Sequence, residues 1–344
     1  MKLVETLGVL LVNTGSPDAP ETAPTRRYLR QFLSDPRVID IAAWKRRLLL
    51  ELVILPFRPK KSAHAYQQIW TAQGSPLIAN SRAFCEALKT ALPGMEIEIG
   101  MAYGNPSVPR AIDTLLARKV SRVLVAPMFP QYASATFGSV LEAVYGYCAH
   151  NENVPRLTTL PPFYRDEGFL DAWAENARAQ LDAFKPDHIL FSYHGLPERQ
   201  IRKSDPTGRH CLRDGDCCER YLDGNPDCYR AHCFATTRGI VERLGIAKDM
   251  HTVAFQSKLG RDPWLQPAAD VVLVEKAKSG VKRLAVLSPA FVADCLETIE
   301  ELGLRGKEDF IAHGGTDFLL VPSLNAHPAW VRAFAGLVRD FGVQ

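Results

Sequence analysis

Leu7-Gly8-Val9-Leu10-Leu11-Val12, running into Asn13-Thr14-Gly15-Ser16-Pro17, decides the fold class of this 344-residue chain. Six apolar residues are too few to cross a bilayer, and no small-residue cleavage site follows them. They read as a buried strand ending in a loop. The same unit, a short β-branched run followed by a Gly- and Pro-rich loop and a longer helical pattern, returns along the chain. Strand candidates are 7–13, 96–101, 122–126, 188–193, 252–256, 284–288 and 318–321, and helix candidates are 81–92, 106–118, 139–149, 167–184, 234–244 and 293–303. Strand–helix–strand alternation predicts an α/β protein with parallel sheets covered by helices on both faces. The chain is longer than one core usually organises. Three strand candidates precede Val154-Pro155-Arg156 and four follow it, with Pro161-Pro162 suiting a connector, which predicts domains at 1–155 and 156–326 and a C-terminal helix at 327–344.

A composition of 47% hydrophobic and 23% charged residues is that of an ordinary globular protein. Net charge is only +3, without a dense Lys/Arg run, so no nucleic-acid partner is expected. The expected location is the cytoplasm. In open parallel sheets ligands bind beyond the carboxyl ends of the strands, so the loops there matter most. They read Asn13-Thr14-Gly15-Ser16-Pro17, Pro127-Met128-Phe129-Pro130-Gln131-Tyr132, His194-Gly195-Leu196-Pro197, Ser257-Lys258-Leu259-Gly260 and Pro289-Ala290-Phe291. Rich in Gly, Pro and aromatics and poor in charge, they suit a flat, largely apolar ligand. The first has one glycine and no following lysine, so it lacks both dinucleotide and Walker spacing.

Three features carry chemistry. His194 closes a predicted strand, where an imidazole can shuttle protons near neutral pH or offer nitrogen to a metal; a structural histidine is the plain alternative. Asp294, Glu297 and Glu301 are spaced to share one helix face. Such a face is either solvated acid near a helix N-terminus or a ladder that passes cations or protons. Trp264, beside the Ser257-Lys258 loop, is core filler or a wall for an aromatic ligand. Eight cysteines include Cys211, Cys217, Cys218, Cys228 and Cys233 in one segment, which in a reduced compartment points to metal or redox chemistry.

Leu11-Val12-Asn13-Thr14-Gly15-Ser16-Pro17, Tyr28-Leu29-Arg30-Gln31-Phe32-Leu33-Ser34-Asp35, Gly74-Ser75-Pro76-Leu77, Tyr103-Gly104-Asn105-Pro106-Ser107, Phe129-Pro130-Gln131-Tyr132, Phe191-Ser192-Tyr193-His194-Gly195-Leu196-Pro197-Glu198-Arg199 and Asp294-Cys295-Leu296-Glu297-Thr298 resemble, in order, the motifs of the ferrochelatase family. The resemblance spans nearly the whole chain. It implies two flavodoxin-like halves that hold a porphyrin between them, and insertion of ferrous iron into protoporphyrin IX to make protohaem. His194 and Glu297 match the family's catalytic pair, and His194, Glu297 and Glu301 the positions that meet substrate iron. Thr14, Tyr103, Phe129, Tyr132, Lys258 and Trp264 match porphyrin-binding positions. Ala102 departs from the family, whose members often have arginine there, so an arginine–propionate contact is not expected.

The cysteine segment, within an insertion at 204–233, is longer than ordinary members carry. Four thiolates suit structural zinc or a [2Fe–2S] cluster. The spacing C-x5-C-C-x9-C-x4-C is no double CxxC ribbon, and some ferrochelatases carry a [2Fe–2S] cluster, which selects that cofactor. The resemblance nominates Cys211, Cys217, Cys218 and Cys228, with Cys233 as the alternative ligand. Residues 41–57, with Trp44 and Lys45-Arg46-Arg47 ahead of an apolar run ended by Pro56, read as a buried helix or as a lip over the porphyrin. A lip would rest peripherally on the inner face of a membrane. Alternatives to the leading reading are a coproporphyrin ferrochelatase, a related cobalt chelatase, and a non-catalytic haem or Fe–S carrier.

Overall fold

A computed structural model describes residues 6–218, 226–258, 260 and 262–342. The chain divides into two compact units, Met1–Phe129 with Ser134–Pro161 and Val331–Gln344, and Pro130–Ala133 with Pro162–Trp330. The first holds β1 (Leu7–Asn13), β2 (Glu96–Met101), β3 (Arg122–Pro127) and β4 (Arg156–Thr159), all parallel, in the order β2-β1-β3-β4. The second holds β5 (His188–His194), β6 (His251–Gln256), β7 (Arg283–Leu287) and β8 (Asp317–Leu320), parallel in the order β6-β5-β7-β8. Each sheet places its first strand between its second and third. This is flavodoxin-like order, and it puts the point where the winding reverses beside β1 in one unit and β5 in the other.

The strands are apolar runs because helices cover them. Leu10, Val12, Val123 and Val125 are buried under helices Val108–Ala117 and Ser139–Cys148. In the second unit Leu190, Ala254, Leu284 and Val286 are buried with residues of helices Ala269–Lys278 and Lys307–Ala312. Gly15 has no substitute: its φ is +113°, and a Cβ there would stand 1.8 Å from the Tyr103 carbonyl oxygen.

The structure departs from expectation in five places, the first being Pro130–Ala133, which fall within the expected first domain but belong to the second unit. Arg156–Thr159, expected to open the second domain, is the outer strand of the first sheet; exposed Arg156 and half-buried Leu157, Thr158 and Thr159 carry no buried-strand signal. The C-terminal stretch from Val331 completes the first unit, where Phe334 meets Phe84 edge to face at 5.4 Å. Pro56 does not end the 41–57 segment. Helix Ala43–Leu48 passes through a π-turn, Leu49–Ile54, into helix Leu55–Ile69, and Pro56 falls in the first turn of that last helix, where an N–H is not needed.

The helix expected from Ala293 begins instead at Glu297 and is a π-helix to Gly306. Asp294 therefore shares no helix face with Glu297 and Glu301. Its carboxylate accepts from Ser323 N (3.1 Å), Asn325 Nδ2 (2.8 Å) and Thr298 Oγ1 (3.0 Å), which ties the preceding loop to the chain after β8.

Candidate functional site

His194 is the last residue of β5, half-buried where the winding of the second sheet reverses. Its ring Nδ1 lies 2.7 Å from the carbonyl oxygen of Gly195. A carbonyl only accepts, so Nδ1 carries a proton, and in the neutral imidazole the basic lone pair is that of Nε2. The Phe291 ring, in the loop after β7, stands 6.4 Å from the imidazole. Gly195 is required by close approach: a Cβ would lie 2.7 Å from Gln256 O and 3.1 Å from the Trp264 ring.

Gln256 connects this histidine to the acidic helix. It is the register partner of His194 on β6 and is 4% exposed. Its Oε1 accepts from Ser192 Oγ at 2.8 Å, and its Nε2 donates to Glu297 O at 2.8 Å and Glu301 Oε2 at 3.3 Å. Glu301 also accepts from the backbone N of Ser257 (2.8 Å) and from the Ser257 hydroxyl. Ser257 adopts φ +68°, rare for a residue with a Cβ, and both of its donors are used on Glu301. The buried Cys295 thiol, pushed up by burial, is in hydrogen-bond contact with Glu297. The structure thus brings His194, Glu297 and Glu301 to one edge of the second sheet. Gln256 and Ser257 carry that arrangement; an amide ending a strand candidate just before the Ser257-Lys258 loop was the available signal.

The remaining candidates divide by unit. In the second, Trp264 is half-buried against Gly195, and its Nε1 is buried with no hydrogen-bond partner among the described residues. Pro263 O accepts from Glu198 N and Leu265 N donates to Leu196 O, so the Trp264 loop is stitched to the His-Gly-Leu-Pro loop. Lys258 is exposed, and its neighbour Leu259 lies outside the described residues. Tyr132 is half-buried, its backbone N donating to His232 Nδ1 at 3.1 Å. In the first unit, Thr14 and Phe129 are half-buried at strand ends. Tyr103 is only 6% exposed; its hydroxyl donates to Asp35 at 2.7 Å and its ring meets Phe32 at 5.1 Å, so most of it serves packing. Burial pushes that phenol well above its usual range.

All five clustered cysteines are buried free thiols. Asp205 organises the loop before them, accepting from Thr207 N and Oγ1, His210 N and Cys211 N. Burial opposes its charge, but these donors win and hold the carboxyl well below the usual range. Cys217 and Cys218 sulfurs are 3.7 Å apart, and the Cys228 thiol is in hydrogen-bond contact with both Cys218 and Cys211. Cys233 instead contacts Tyr229. Residues 219–225 of the insertion lie outside the described residues. Among the described residues, no group of three or more His, Cys, Asp or Glu side chains is arranged as a metal site.

Residues 41–57 expose Trp44, Leu48, Val53, Leu52 (66%) and Phe57 (77%), with Lys45 stacked 5.4 Å from the Trp44 ring. No helix among the described residues is long and apolar enough to cross a membrane.

The comparisons with known proteins agree with one another. Solved structures of SirB from Bacillus subtilis with Fe3+, and of the sirohydrochlorin chelatase SirB from Bacillus subtilis subspecies spizizenii in complex with cobalt, align with TM-scores of 0.54. Each covers 98% of this chain and 96% of its own, but identities of 14% and 13% make this a likeness of fold alone. Ferrochelatases from Azotobacter vinelandii, Stutzerimonas stutzeri and Coxiella burnetii are 47%, 44% and 42% identical, covering 97%, 96% and 97% of this chain and 98%, 96% and 93% of their own. The ferrochelatase family model matches residues 6–341. With that match across nearly every residue, the chain belongs to the ferrochelatase family.

Proposed function

We propose that this enzyme inserts ferrous iron into protoporphyrin IX at the C-terminal edge of its second sheet. His194 takes the pyrrole protons, while Glu297 and Glu301 supply oxygen ligands to iron as it sheds water. The observation that carries this reading is the Gln256 bridge: paired in register with His194, it donates to the backbone carbonyl of Glu297 and to the carboxylate of Glu301.

The chemistry asks for little else. Two N–H protons must leave the macrocycle as one Fe2+ enters, so charge balances without oxidation or reduction. The free Nε2 lone pair of His194 can accept a proton, and carboxylates are suitable oxygen ligands for a hydrated divalent ion. Tyr132 and Trp264 offer aromatic surface, and Lys258 an exposed cation for a propionate. The first unit has its own porphyrin candidates in Thr14, Tyr103 and Phe129. Distortion of the ring, supported by binding of its periphery, would expose the nitrogens to metal and base.

A [2Fe–2S] cluster held by Cys211, Cys217, Cys218 and Cys228 is the reading of the thiol segment we favour. It is supported by four buried thiols in a chain of contacts. The 3.7 Å between Cys217 and Cys218 sulfurs is close to the roughly 3.8 Å of two thiolates sharing a tetrahedral ion at about 2.3 Å. When bound, the cluster supplies one-electron chemistry, which metal insertion does not consume. Cys233, turned to Tyr229, is the lesser candidate. Residues 41–57 would rest peripherally on a membrane surface, with Trp44, Leu52 and Phe57 in the interface and Lys45, Arg46 and Arg47 toward anionic headgroups.

Anaerobic incubation of the protein with ferrous iron and protoporphyrin IX tests the activity. Protohaem should form with multiple turnovers, and its absence at every iron concentration would exclude the assignment.

A further inference from the structure

The peptide joining His194 to Gly195 is held from both sides. Its N–H donates to Gln256 O at 2.7 Å, and its C=O accepts from the Tyr229 hydroxyl at 2.8 Å. A peptide unit is planar, so two opposed hydrogen bonds fix its rotation about the chain axis. The imidazole is tied to the backbone this clamp anchors, because Nδ1–H closes onto the next carbonyl, Gly195 O, at 2.7 Å. The direction of Nε2 is therefore set by a clamp with Gln256 at one end and Tyr229 at the other.

Tyr229 is well placed to serve as an anchor. It is 6% exposed and begins the helix Tyr229–Leu244, with Cys228 as its N-cap, and it contacts the Cys233 thiol one turn on. The same helix grips β5 again where Thr237 and the Tyr193 hydroxyl bond at 2.8 Å. It also holds the Gln131-Tyr132 strap through Thr236 and His232. One rigid element thus touches the residue before the histidine, the histidine's own carbonyl, and the backbone of a candidate porphyrin residue.

We propose that Tyr229 is a positioning residue for metal insertion, aiming the basic nitrogen of His194 through the peptide plane it holds. This rests on His194 as the proton acceptor. Tyr229→Phe keeps the ring and removes only the donor. Its kcat should fall about tenfold or more, as small misplacements of reacting groups do, while KM for porphyrin and the visible absorption of the thiol segment stay unchanged. Tyr229→4-aminophenylalanine, which retains a donor, should recover most of the rate. Tyr229→4-fluorophenylalanine, which fills the same space without one, should not. That pair also serves if Tyr229→Phe does not fold. Equal kcat for the amino and fluoro forms, or wild-type kcat in Tyr229→Phe while His194→Ala is inactive, would overturn the positioning role. An active His194→Ala would instead overturn the reading on which it rests.

Discussion

Replacing Gln256 by glutamate exchanges an NH2 for an oxygen where the structure demands a donor. The amide Nε2 faces two acceptors, Glu297 O at 2.8 Å and Glu301 Oε2 at 3.3 Å. Two unit charges 3.3 Å apart repel by about 5 kcal/mol at an effective dielectric of about 20, and by about half that in wetter surroundings. Half-buried Glu301 lies between these limits. At about 1.4 kcal/mol per pH unit, the new pair should retain one shared proton until about 2 to 4 units above the ordinary carboxylate range. Below about pH 6 the protonated acid donates as the amide did, and Glu301 stays in place. Above about pH 8 both groups ionise, the Glu297 carbonyl loses its donor, and the acidic helix is pushed off the end of β6. Anaerobic initial rates of Gln256→Glu, divided by wild-type rates at each pH, should therefore start near unity and fall steeply through neutrality, with the melting temperature falling in parallel. Gln256→Leu, which donates at no pH, should be slow throughout. A ratio for Gln256→Glu that is flat from about pH 6 to about pH 9 would refute the bridging role of this amide.

Three further outcomes are expected. Anaerobically purified protein should be coloured and give a [2Fe–2S] EPR signal on reduction, lost on substitution of Cys211, Cys217, Cys218 or Cys228 but not of Cys233; a colourless protein with stoichiometric zinc would exclude the cluster. His188 is pushed down to about 4, first by burial and then by the charges of Lys276 and His251, so the folded state holds it neutral while the unfolded state binds a proton below about 6.5. Its contribution is complete above about pH 6.5 and is lost toward about pH 4, by about 3 kcal/mol, so urea midpoints should fall less on acidification in His188→Gln than in wild type. Leu52→Ser with Phe57→Ser should abolish sedimentation with anionic vesicles without changing turnover of detergent-dispersed porphyrin, and unchanged sedimentation would remove the membrane role of this segment.

Much of the fold was legible because buried parallel strands must be apolar. Leu7–Asn13 and Glu96–Met101 are observed with the bounds their residue pattern predicts. Arg156–Thr159 was not legible, since a short polar edge strand resembles a loop until its partner is known. The return of Val331 onward to the first unit rests on distant contacts such as Phe334 with Phe84, which no local periodicity encodes. The π-helix at Glu297–Gly306 also defeats a reading by 3.6-residue spacing, and its start at Glu297 leaves Asp294 off the supposed acidic face. His194, Glu297 and Glu301 stood out because they are titratable. Gln256 and Tyr229 did not, because their work is to hold others, and that is visible only once their partners are in place.

The central claim is that His194 supplies the base for metal insertion. The most direct measurement follows protohaem formation anaerobically in wild type and in His194→Ala, with porphyrin fluorescence confirming equal occupancy. Equal porphyrin binding with a fall in rate of about a hundredfold or more is the predicted result. Turnover by His194→Ala within a fewfold of wild type would contradict it.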